Sequence, residues 1–395
     1  MNVNLPIEAL KSFGLTSGSN GTLQVVESMK NIYFKYQNEI ESELDVISRA
    51  VLKQKITNLS ESDIVELVFY YICGEEDDKT PILYRVFNYY LSVLSTNFLK
   101  TCSPAMANYM LKHEDELFIS VCGKVAAKTF LPNWLSTKQI YSIDKEFMNA
   151  LAFTENLEIS KDMIEHLPYD HFYLDLSEGG YFYKGAFIDL FKSDKEVKVA
   201  ITLCAYQNKK PILIGCEWRF KYKEELLDLN FKINDSEITS YYKNLYTKKT
   251  DKINDKEYVL SDEQEMDRKI INSICFQTIC YLVSQEPDIY PAPLTHGSSK
   301  KGKKYIKSSL YNDINIDEVG VRFGNAFRKE CERREMSEKD EQLIDGPTRK
   351  ITPHLRRAHW SHYWVGKGRK QCVVRWIQPT FVVGIPKDAV IHKVS

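Results

Sequence analysis

Apolar residues recur at helical spacing over the first part of this chain and then give way to short aromatic and β-branched bursts. From Leu23 to Lys53 the positions Val26, Met29, Tyr33, Ile40, Leu44, Ile47 and Val51 fall three, four or seven apart, which predicts one long amphipathic helix. Ser60 followed by Asp63 predicts a capped second helix through Tyr71, and Pro81 opens a third through about Leu99. Further helical pieces run to about Met163, so residues 1–163 are expected to form an all-helical region.

The pattern changes at His166. The segments LPYDHFYLDL, YKGAFIDLF, VKVAITLCAY and PILIGCEWRF alternate or run apolar, and the breaks SEGG, KSDKE and QNKKP separate them, as in a meander of antiparallel strands. A helix is expected from Ser261 to about Gln285, stopped by Pro287. The stretch at about 291–310 is rich in Pro, Gly, Ser and Lys and reads as a flexible basic loop. Residues 317–334 divide into a strand beginning EVGVRFG and a helix ending FRKECERR, and KQCVVRWIQPTFVVG reads as one or two strands. The expected fold class is therefore α+β: helical residues 1–163, then an α+β domain over 164–395. Its mainly antiparallel sheet, built from residues 166–220, is expected to be closed by the C-terminal strands.

Charge changes this picture more than composition does. The formal net charge is −1, yet residues 1–100 carry nine Lys/Arg against thirteen Asp/Glu, and residues 296–395 carry twenty-one against eleven. The nine Cys include no CxxC pair and read as buried small hydrophobes in a reducing cytosol. The N-terminus lacks a signal-peptide pattern and no run is apolar enough to span a bilayer, so a cytoplasmic protein without membrane contact is expected. Walker, GxGxxG, HExxH and GxSxG motifs are missing, which disfavours nucleotide hydrolysis and ordinary hydrolase chemistry.

The candidate chemistry lies between Pro353 and Val383, where three His, three Trp and six Arg or Lys occur without one acidic residue. His354, His359 and His362 invite comparison with a zinc site, but Arg356 and Arg357 between them oppose a divalent cation, so neither a metal nor any other cofactor is expected. His354, Arg356, Arg357, His359, Trp360, His362, Trp364, Arg375 and Trp376 instead form a candidate surface for a peptide, RNA or other anion. Two alternatives stay open: the Trp residues are core and the Arg residues pair with carboxylates, or the cluster is a metal-independent ribonuclease with His as acid or base. Glu286 and Asp288 stand just past a helix end, where the dipole disfavours anions, so an Arg of the C-terminal stretch is the expected partner.

The string PHLRRAHWSHYWVGKGRKQCVVRWIQPTFV resembles the C-terminal signature of the type V-A anti-CRISPR "VA two-like" family, found on phages and plasmids. LPYDHFYLDL, YKGAFIDL, LVSQEPDI and VGVRFGNAFRKE follow the family's order, so the resemblance covers about residues 166–385. It implies a non-enzymatic or adaptor-like regulator that recognises the nascent N-terminal peptide of a type V CRISPR effector on the ribosome and triggers loss of the message being translated; were it an enzyme, it would be a ribonuclease. Its partners would be that nascent polypeptide, with the mRNA and a host nuclease as further candidates. A groove of the α+β domain would bind the extended peptide, for example by adding it to a sheet edge. The alternative is an RNA-binding protein or ribonuclease acting through the same His, Arg and Trp cluster.

Overall fold

The computed structural model describes residues 4–12, 15, 21–73, 81–101, 103–112, 114–152, 154, 159–160, 164–193, 196–207, 210–223, 226–227, 262–292, 313–341, 354–356, 358–368, 371–382 and 390–392. The chain opens with helices α1 (Asn4–Ser12), α2 (Gly21–Lys35), α3 (Gln37–Glu41), α4 (Val46–Thr57), α5 (Glu61–Cys73), α6 (Ile82–Thr101), α7 (Pro104–Lys112), α8 (Glu114–Phe130) and α9 (Trp134–Thr137). Val26, Met29 and Tyr33 of α2, Ile64 and Val68 of α5, and Val86, Phe87 and Leu91 of α6 share one buried core.

The long helix expected over Leu23–Lys53 is three helices. It breaks at Tyr36, which leaves the helical region at φ −121° and ψ 31°, and again after Glu41; Asp45, whose carboxylate accepts the backbone N–H of Ser48 at 2.9 Å, then starts α4 afresh. Beyond Ile40 the apolar spacing did not mark a buried face, since Ile47 is 77% exposed while Leu52 and Ile56 are buried. The cap before α5 matches its signature. Ser60 N donates to Asp63 Oδ2 at 2.8 Å and Asp63 N donates back to Ser60 Oγ at 3.3 Å.

Nine strands form the main sheet: β1 (Gln139–Ile143), β2 (Ile159–Ser160), β3 (His171–Asp175), β4 (Gly185–Lys192), β5 (Glu196–Gln207), β6 (Lys210–Lys223), β7 (Leu226–Leu227), β8 (Ile289–Pro291) and β9 (Asn315–Val319). Their order is β2-β7-β6-β5-β4-β3-β1-β9-β8. The expected meander is present as antiparallel β3-β4-β5-β6, while β1 pairs parallel with both β3 and β9. Strand β1 lies in the stretch expected to be all helical. Its five residues are all buried, so it carries no alternating pattern that separates a strand from a buried helix.

Both faces of the sheet are covered. Phe172, Leu174, Ile188 and Ile201 point to one core with helix α10 (Lys145–Ala152) and helix α11 (Asp262–Leu282), and Tyr173, Phe187 and Cys204 point to another with Leu5 and Leu10 of α1. Cys204, Cys275 and Cys280 are buried in these layers, and burial pushes the Cys204 thiol up. The fold is thus α+β. No helix among the described residues is long and apolar enough to cross a membrane.

Two expectations need correction. The C-terminal strands do not close the main sheet. Strands β10 (His354–Arg356), β13 (Thr380–Val382) and β14 (Val390–His392) form a small sheet, and β11 (His359–Val365) with β12 (Gln371–Ile377) forms a separate antiparallel ribbon. The edge next to β9 is taken by β8. In the VGVRFG segment the strand stops at Val319 and helix α12 (Val321–Glu341) already contains Val321 to Phe323. Gly320, at φ +76°, makes that switch. The Ser261 cap and most of the basic loop, residues 293–312, lie outside the described residues.

Gly320 is constrained twice, by its positive φ and by the Phe147 ring, whose Cγ lies 2.2 Å from where a Cβ would sit. Gly320→Ala is expected to cost about 2–5 kcal/mol, combining left-handed strain with overpacking. Gly180→Ala, at φ +80° with nothing within 4 Å of the added carbon, isolates the strain alone and should cost about 1–2 kcal/mol. Denaturant unfolding of the two variants measures the difference.

Candidate functional site

The C-terminal ribbon is seated by its tryptophans. Trp360 and Trp376 are opposite each other across β11 and β12, and so project to the same face. That face lies on the core formed by α10, α11 and α12. The Trp376 ring meets Phe147 at 5.0 Å, Phe323 at 5.3 Å and Tyr281 at 5.8 Å, each edge to face. Val374, on the same face, is buried.

Polar groups under the two indoles are satisfied by one another. Trp360 Nε1 donates to Gln277 Oε1 at 2.8 Å, and Gln277 Nε2 donates to the Thr154 carbonyl at 3.3 Å. Trp376 Nε1 donates to Thr154 Oγ1 at 3.3 Å, and that hydroxyl donates to the Ala150 carbonyl at 2.8 Å. Gln277 is fully buried. A buried amide without such partners would cost roughly 1–3 kcal/mol, so the network fixes where the ribbon sits. Gln277 and Thr154 were not singled out in the sequence; the one available signal was a Gln inside the apolar run ICFQTICYLV.

A second set of contacts ties the ribbon to the turn after α11. Gln285 N donates to the Val374 carbonyl at 2.7 Å, and Arg375 Nη2 reaches Glu286 Oε2 at 2.9 Å. The arginine expected to answer the EPDI carboxylates is therefore Arg375 for Glu286. Asp288 is answered elsewhere. It accepts Arg322 N at 2.8 Å, Phe323 N at 3.2 Å and Arg322 Nε at 2.8 Å, which caps α12. Asp288 N in turn donates to the Tyr281 hydroxyl, whose pKa burial pushes up to about 12. Asp144 caps α10 in the same way through Glu146 N and Phe147 N, and Arg328 Nη2 pairs with it at 3.0 Å.

The predicted surface is thus divided. Trp360 and Trp376 form the seat, and Arg375 is held on the opposite face by Glu286. His359 and His362 are three apart on β11, so their rings project to opposite faces and do not converge on one ion. Among the described residues no group of three or more His, Cys, Asp or Glu is arranged to hold a metal. His362, Tyr363 and Trp364 are exposed toward the ribbon's tip, Trp364 by 59%. The side chains of His354 and Arg356 and the whole of Arg357 lie outside the described residues.

A separate cleft of about 460 Å³ opens between the helices and the sheet. Phe191 and Val65 give it apolar walls, while Glu61, Glu66, Lys192 and Lys198 add charges of both signs. Lys198 is almost fully buried, pairs with the carboxylate of Glu66 and lies 5.8 Å from the Phe69 ring centroid. Lys192 pairs with Asp170 at 2.5 Å. Close by, His171 Nδ1 is 2.9 Å from Asp189 Oδ1, and burial raises the pKa of that aspartate while the imidazole opposes the rise. The alternating strand pattern gave no sign of this cleft, because it depends on where α2 and α5 dock.

Fold and site together define an α+β protein that offers a mixed-charge cleft and a basic aromatic ribbon. The chain belongs to the Anti-CRISPR type V subtype A2 family, whose model matches residues 141–384. That match takes in the main sheet apart from the opening residues of β1, the ribbon, and the small sheet apart from β14; the helices α1 to α9 precede it. No curated protein and no solved structure gave a match.

The split between seat and surface predicts unequal effects on stability. Trp376→Ala should cost about 3–5 kcal/mol, as for loss of a large core aromatic. Arg375→Ala should cost under about 1 kcal/mol, because its pair with Glu286 is solvent-exposed. Urea unfolding midpoints of the two variants test this, and equal losses would contradict the assignment.

Proposed function

We propose that this protein is an anti-CRISPR regulator that recognises a nascent target polypeptide, the N-terminus of a type V CRISPR effector, and lowers that effector's mRNA during translation. The observation that carries it is the family match over residues 141–384. The cleft supports a peptide as the ligand. Phe191 and Val65 suit apolar side chains, and a rim holding both Glu61 and Lys192 suits a peptide of mixed charge. A nucleic-acid backbone would gain little there, since the charges of Glu61 and Glu66 balance those of Lys192 and Lys198. The edges of the sheet are less suitable, since β2 has two residues and β8 has three, one of them Pro291.

Co-expression with a type V-A effector tests the proposal. Synonymous recoding of the effector's first codons should leave the fall in message intact, whereas changing the encoded residues should abolish it. Repression that follows nucleotide sequence instead would refute peptide recognition. Glu61→Lys reverses a charge on an exposed rim position and should weaken repression, with roughly tenfold lower affinity for the peptide. Effector mRNA and protein measured side by side separate message loss from a block on the finished enzyme.

A further inference from the structure

The far end of the ribbon carries side chains that its seat does not use. Trp360, Val374 and Trp376 fasten one end to the core. The strands run on to Val365 and Gln371, and there Tyr363 is 44% exposed and Trp364 59%. These are large rings to leave in water on a segment that is otherwise anchored.

Their placement discriminates between partners. Tyr363 and Trp364 are consecutive on β11, so they stand on opposite faces of a two-stranded ribbon and do not make one apolar patch. A folded protein seated on one face would bury one ring and leave the other. A flexible strand passing around the tip can use both, because each base offers a flat face to stack on.

Charge points the same way. Lys367 is exposed in the turn between Gly366 and Gly368, which take φ +81° and +80° and place no side chain beside it. Arg375 stands diagonally from Tyr363 on the outer face, although Glu286 offsets its charge. No acidic residue occurs anywhere between Asp345 and Asp388.

We infer that the ribbon tip is a single-stranded RNA contact, with Tyr363 and Trp364 as stacking platforms and Lys367 as a phosphate contact. The inference stands on the tip's geometry alone and does not depend on peptide recognition at the cleft, which lies on other elements.

Equilibrium binding of a uridine oligomer of about twelve nucleotides to the full chain tests it. Wild type should bind at low salt and weaken as salt rises. Trp364→Ala should reduce affinity roughly five- to a hundredfold, Trp364→Phe should keep most of it, and Lys367→Ala should lower the salt slope by about 0.7. An abasic ribose-phosphate oligomer of equal length should bind more weakly than the uridine oligomer. Trp364 is exposed, so each variant's unfolding midpoint should stay at the wild-type value. The inference is overturned by no binding at low salt, by undiminished binding in Trp364→Ala, or by equal binding of the abasic oligomer or of polyglutamate. The last two would mark the tip as a charge patch or an acidic-peptide surface. Repression of an effector by a Trp364→Ala variant is a separate readout, so loss of RNA binding and loss of peptide recognition are told apart.

Discussion

The edge-to-face packing of Trp376 on Phe147, Tyr281 and Phe323 is the constraint on which the family region depends. Those three rings come from α10, α11 and α12, three helices far apart in sequence, and the tryptophan comes from a fourth element. Interiors pack near crystal density, so a ring inserted among three others fixes their mutual positions. Gly320 belongs to the same constraint. Phe147 occupies the space where its Cβ would be, which is why the chain passes from β9 to α12 at a glycine and nowhere else.

The motifs along residues 141–384 make sense as the parts of this joint. EPDI supplies Glu286 for Arg375 and Asp288 for the start of α12; GVRFG supplies Gly320 and Arg322; the last tryptophan of the C-terminal string supplies the ring. Glu286 has φ +54°, a costly conformation for a residue with a side chain. It persists because neighbours on both sides are fixed, Gln285 by the Val374 carbonyl and Asp288 by the Tyr281 hydroxyl. Much of what reads as a functional signature is therefore the hardware that holds the ribbon, and the residues left over at its tip are those whose exposure packing does not explain.

How far the sequence revealed this depends on the range of each interaction. Signals confined to a few residues were legible: the Ser60 and Asp63 cap, the antiparallel meander, the divided 317–334 segment and the Arg375 partner for Glu286. Periodicity misled where burial did not follow it. Ile47 and Val51 continued the helical spacing but face solvent, and β1, buried at all five positions including Gln139 and Ser142, shows no alternation that sets it apart from a helix. The nine-residue surface was grouped by its nearness in sequence, and strand parity divides its ribbon members, sending Trp360 and Trp376 inward. Gln277, Thr154 and Lys198 depend on tertiary docking and have no local pattern to announce them.

The cleft and the joint differ in where their residues come from. Leu190, Phe191, Lys192 and Lys198 fall inside the family match, whereas Glu61, Val65 and Glu66 belong to α5, upstream of it. Lys198 is the link between the two halves. A buried lysine needs a partner, and Glu66 supplies it across the boundary. Exchange of the other α5 positions can alter the rim without touching the Trp376 joint, which is some distance along the sheet and built wholly of family residues. The ribbon and its seat lie wholly inside the family match, whereas the α5 side of the cleft lies outside it and is tied to the sheet by the carboxylate of Glu66 over Lys198.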